Sequence, residues 1–155
     1  MHEQVLRDFF ENKASATELR RDIDGSTKTH GAYSQVSIVD MDEEFTVTAA
    51  MAVRLCDVVL HGELPPEALK ALGFALQASD KFCWDGDEDE VLANVISDWS
   101  CPDVNYPLTL ENVERFRAWL LRIEPYPPKP PIRDTPWRIT SVTEKKSARR
   151  WRKHK

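Results

Sequence analysis

Three shortages set the first limits on this chain of 155 residues: five glycines, three cysteines, and no long apolar run. No hydrophobic segment approaches the ~20 residues that span a bilayer, which excludes an integral membrane protein at this stage. The opening MHEQVLRDFF has no basic start leading into a hydrophobic stretch, so no cleaved secretory signal is expected. An odd number of unclustered cysteines argues against a disulfide scaffold and points to a reducing, cytoplasmic setting. Motifs of catalysis are missing too. There is no Gly-rich phosphate loop, no nucleophile elbow and no His-Glu-x-x-His run. His2, His30, His61 and His154 stand without a Cys, Asp or second His at ligand spacing. The sequence therefore predicts no enzyme, no cofactor and no metal.

What is present is an uneven distribution of charge. The formal net charge is −5. Residues 1–124 carry 11 Lys/Arg and 24 Asp/Glu, a balance of −13, whereas residues 125–155 carry 10 Lys/Arg against Asp134 and Glu144, a balance of +8. The two parts meet at PYPPKPPIRDTP, whose prolines cannot continue a helix and favour an extended spacer. The reading is an acidic helical domain over 1–124, a Pro-rich linker over 125–136 and a basic tail over 137–155. Such asymmetry speaks about partners more than about fold.

Apolar periodicity divides the body into short amphipathic helices. Residues 3–12 place Val5, Leu6, Phe9 and Phe10 on one arc with Glu3, Arg7 and Glu11 opposite. Ser15 followed by Glu18 is a capping box for a helix carrying Ala16, Leu19 and Ile23, which stops near Gly25 in a polar loop. Residues 34–39 alternate in polarity and predict a strand that pairs with Phe45–Val47 as a small hairpin. Thr48 caps a helix at 49–61 that is ended by Gly62, and Pro65 and Pro66 open the next at 66–79. Asp87 is the expected cap of a helix at 88–99. Thr109 caps a last one at 110–123, with Leu110, Val113, Phe116, Leu120 and Ile123 facing inward. The fold class is mainly α: a compact bundle of about five or six short helices with room for a small β-hairpin, followed by the Pro-rich spacer and basic C-terminal tail.

Candidate binding residues come from charge and from aromatics that periodicity leaves over. The acids Asp85, Asp87, Glu88, Asp89 and Glu90 begin like a calcium loop. The comparison then fails, with Glu90 where the turn glycine belongs and Ile96 where the bidentate carboxylate belongs. They suit the positive N-terminal end of a helix. Alternatively, with Asp40, Asp42, Glu43, Glu44 and Asp80, they form a negative face for a basic partner. Phe74 and Tyr106 fall off the helical stripes and are expected in a protein-binding patch. Phe82, Trp84 and Trp99 are expected in the core, as are Cys56 and Cys83, whereas Cys101 beside Pro102 is expected to be exposed. In the tail, Lys145, Lys146, Arg149, Arg150, Arg152, Lys153 and Lys155 can neutralise phosphates while Trp151 stacks on bases. An acidic protein surface, the body included, is the other ligand such a tail suits.

Two stretches carry a resemblance. LRDFFENKASATELRRDI and ALGFALQASDKFCWDGDEDEVLANVISDW are similar to the opening helices and the later helix–acidic turn–helix pattern of the colicin D-type self-protective bacterial immunity family. That resemblance implies a small helical, non-enzymatic inhibitor that covers the basic active surface of a tRNA-cleaving toxin with carboxylates, here Asp80, Asp85, Asp87, Glu88, Asp89 and Glu90. The expected function is accordingly a cytoplasmic protein-binding module engaging a basic protein such as a nuclease toxin. A nucleic-acid-associated protein acting through its tail is the alternative.

Overall fold

A computed structural model describes residues 1–31, 33–85 and 89–128, with the side chains of residues 33 and 34 left aside. The basic tail and most of the linker lie outside the described residues. Six helices form the described body: α1 (Glu3–Phe10), α2 (Ala16–Ser26), α3 (Ala49–Leu60), α4 (Ala68–Ala78), α5 (Glu90–Ser100) and α6 (Leu110–Leu120). Strands β1 (Thr27–His30), β2 (Tyr33–Val36), β3 (Phe45–Thr46) and β4 (Phe82–Cys83) complete it. None of these helices is long and apolar enough to cross a membrane.

Local chemistry explains most boundaries. At the start of α2 the Ser15 hydroxyl accepts from Glu18 N at 3.2 Å while the Glu18 carboxylate accepts from Ser15 N at 2.7 Å, the reciprocal box that satisfies free backbone donors. Gly62, at φ +78°, ends α3 as expected, because only glycine takes that conformation without a steric penalty. Thr48 occupies the N-cap position of α3 without donating or accepting a side-chain bond there. Pro65, Pro66 and Glu67 form a turn, with Ala68 N and Leu69 N donating to the carbonyls of Pro65 and Pro66, so α4 begins two residues later than the proline signal alone suggests.

The core is one continuous cluster built from every helix. The most intimate pairs are α4 with α5 and α3 with α6. Gly73 makes the first of these feasible. A Cβ there would lie 2.8 Å from both Ser100 N and Trp99 Cβ, so only a glycine lets the two backbones approach so closely. Trp99 and Phe116 are wholly buried and meet edge to face at 6.3 Å.

The strands differ from the sequence expectation. The expected hairpin between 34–39 and 45–47 does not form. Instead β2 pairs antiparallel with β1, in the segment expected as a polar loop, with Thr27 opposite Val36 and His30 opposite Tyr33. Gly31 at φ +60° makes the reversal. Phe45 pairs in parallel with Phe82 and Thr46 with Cys83, a partnership 37 residues away that requires α3 and α4 as the crossover. Tertiary packing selects it: Phe10, Phe45 and Phe82 form an aromatic trio with centroids 6.1 to 6.5 Å apart.

Four individual expectations are corrected. Glu3 is fully buried, because its carboxylate accepts from Met41 N at 2.9 Å beneath the 39–41 segment. Cys83 is exposed, since β4 turns Phe82 inward and strand alternation sends its neighbour out. Leu110 sits in the exposed first turn of α6. Ile123 is 69% exposed because α6 ends at Leu120 and Arg122 takes φ +58°, which breaks the helical periodicity. Trp84 is half-buried against the core, Phe82 and Trp99 are buried, and Cys101 is exposed.

Candidate functional site

The β3–β4 pair organises the acidic residues. Phe45 N donates to Lys81 O and Val47 N to Cys83 O, each at 2.8 Å, so the segments preceding both strands emerge at the same end. Asp42, Glu43 and Glu44 precede β3 and Asp80 precedes β4, and all four are exposed. Arg7 of α1 reaches into this group, donating to Glu43 Oε2 at 3.0 Å with its guanidinium 5.5 Å from the Phe45 ring centre. That hydrogen bond, added to the nearby Glu11 carboxylate, raises the Arg7 pKa and keeps the cation charged. Asp40, Asp42, Glu44 and Asp80 have no ion-pair partner among the described residues. The result is a carboxylate-rich end into which Arg7 reaches and beside which Lys81 stands.

The second acidic group follows β4 and therefore leaves from the opposite end of the strand pair. Asp89 is the cap that α5 uses, its side chain accepting from Leu92 N at 2.9 Å, and it also binds Arg122 Nη2 at 2.7 Å. Helix capping and a cation thus already occupy this carboxylate. Asp85 and Glu90 are exposed near it. Asp87, the cap expected from sequence, and Glu88 lie outside the described residues. The described acids thus flank the short β3–β4 pair, Asp42, Glu43, Glu44 and Asp80 before the strands and Asp85, Asp89 and Glu90 after β4. Lys145, Lys146, Arg149, Arg150, Trp151, Arg152, Lys153 and Lys155 also lie outside the described residues.

The two aromatic candidates separate clearly. Phe74 is 46% exposed on α4 and lines a cleft of about 810 Å³ with Ile23, Val36, Ala68 and Ala71. Tyr106 is half-buried and packs on Phe116 and Trp119 with centroids 6.0 and 5.3 Å away. Its ring serves the fold rather than an open patch.

Sequence reasoning passed over one polar pair. Asp98 lies on the buried face of α5 and is 1% exposed. Tyr126, inside the Pro-rich stretch, donates its hydroxyl to Asp98 Oδ2 at 2.8 Å and sets its ring 5.0 Å from that of Trp119. Burial, first, and the Asp98 carboxylate, second, push the Tyr126 phenol well above its ordinary value. The available signal was a carboxylate between Ile96 and Trp99 on an otherwise apolar helical face. Burial likewise pushes the Cys56 thiol far up, leaving it a small hydrophobe rather than a nucleophile.

Among the described residues no three His, Cys, Asp or Glu side chains gather in a way that would hold a metal ion. No family model, curated protein or solved structure matches the chain.

Proposed function

We propose that the helical body is a non-enzymatic protein-binding module whose carboxylate end, Asp42, Glu43, Glu44 and Asp80, engages a basic polypeptide. The partner class that suits it is a nucleic-acid-cleaving toxin, whose substrate-binding surface must itself be basic to accept phosphates. The protein would then act as an immunity-type inhibitor. The observation that supports this reading is the parallel register of Phe45 with Phe82, which gathers carboxylates from two distant segments at one end, where they outnumber the cations Arg7 and Lys81. Asp42, Glu44 and Asp80, which have no ion pair among the described residues, keep their charge available, which accelerates encounter with a basic surface and disfavours acidic ones.

The test is affinity capture from the native host with the full chain as bait, in extract treated with nuclease. The expected result is a basic polypeptide that survives nuclease and is lost when the bait carries Asp42→Asn, Glu44→Gln and Asp80→Asn together. Capture that disappears with nuclease and ignores the triple substitution would replace this reading with nucleic-acid association through the 137–155 tail.

A further inference from the structure

The described chain ends beside a cavity of about 650 Å³ between the first turn of α5 and residues 122–128. Its lining is more apolar than polar, with Val91, Ile123, Pro127 and Pro128 beside Asn94 and Tyr126. Glu90 and Glu124 stand on the same cavity, both exposed and neither with an ion pair among the described residues. The cation of Arg122 is taken up by Asp89 at 2.7 Å, so the rim stays negative. A largely apolar lining that includes two carboxylates without ion pairs is complementary to an aromatic ring flanked by cations.

The chain supplies that ligand itself in Arg149-Arg150-Trp151-Arg152-Lys153. We propose that the cavity seats Trp151 of the same chain, its flanking arginines against Glu90 and Glu124, as an intramolecular contact between the basic tail and the acidic body. Reach favours Trp151 over Trp137. Trp137 follows Pro128 by nine positions, three of them Pro130, Pro131 and Pro136, a composition that disfavours the tight reversal a return to the cavity would need. Trp151 follows Pro128 by 23 residues, the last 14 before it free of proline. Closing a loop of that length costs little more entropy than closing one half as long. Tethering also presents the segment at high effective concentration, so even a weak contact is well populated. This contact involves Glu90 and Glu124, neither of them among Asp42, Glu43, Glu44 and Asp80, and does not depend on the partner proposed above.

The experiment reads the tryptophan indole N–H resonances of the isotope-labelled full chain, with that of Trp151 identified by its absence in Trp151→Phe. A synthetic 143–155 peptide gives the position of the free indole. In the full chain the Trp151 resonance should lie away from that position. It should return to it in Glu90→Gln/Glu124→Gln, in Ile123→Ser, and as salt rises from about 0.05 M to about 0.5 M, where screening shortens the range of exposed charges. The Trp99 and Trp119 resonances should stay in place and report an intact fold. A Trp151 resonance already at the free position, or one that ignores both variants, overturns the proposal. A shift that grows with protein concentration also overturns it, in favour of a contact between two copies. No partner is present in this measurement, so its failure and that of the carboxylate-end reading are separable.

Discussion

At the scale of single residues, stability rests on a few positions where one atom decides. Gly73 is the clearest. Adding a methyl group would drive it against the Ser100 backbone and the Trp99 Cβ, neither of which can swing away, so Gly73→Ala should destabilise by about 1–3 kcal/mol despite the better helix propensity of alanine. A fall in the denaturation midpoint at unchanged slope would show it. The Tyr126–Asp98 bond is the second such position. Tyr126→Phe removes a donor to a carboxylate that is 1% exposed, and should cost about 1–3 kcal/mol by the same measurement. Both Cys56 and Tyr126 also link stability to alkaline pH. Their folded pKa values are raised, so the folded state holds protons that the unfolded chain releases, and stability present below the unfolded values must decline as pH rises past the ordinary 9.0 of the thiol and 10.0 of the phenol. Stability measured from pH 7 upward should fall less steeply in Cys56→Ala and in Tyr126→Phe than in the unmodified protein.

At the scale of elements, local signals carried far in the helices and failed in the strands. The Ser15 box sets the start of α2 through bonds within four residues, and Ser15→Ala should cost about 1 kcal/mol in chemical denaturation. Helix periodicity placed α3 and α4 within two residues of where they lie, because an apolar stripe needs only the helix itself to be defined. Strand partners are not written locally. β3 has two residues and takes its partner from the far side of two helices, where Phe10 and Phe82 offer it an aromatic contact. The polar run Thr27–His30 reads as a loop by composition, yet it pairs with β2 on an exposed surface where no apolar alternation is needed. The candidate site inherits this pattern. The carboxylates themselves were legible, and their division between the two ends of the strand pair followed from a register that sequence did not specify.

At the scale of the whole molecule, the boundary between body and tail matters for any dissection of function. The Pro-rich stretch begins at Pro125, yet Tyr126 packs on Trp119 and binds Asp98. A chain cut after Glu124 should therefore melt at a lower temperature than one cut after Pro128, and calorimetry of the two would show the difference. Charge and length were determined by sequence alone: a −13 body, a +8 tail and a proline run between them. So were the mainly α class and most helix starts, since caps and stripes act within one or two turns. Tertiary structure alone decided which carboxylates share a surface, which aromatic rings stay open, and how far the body extends into the prolines. Those outcomes depend on contacts between residues tens of positions apart, and such contacts are selected by packing rather than by the order of residues along the chain.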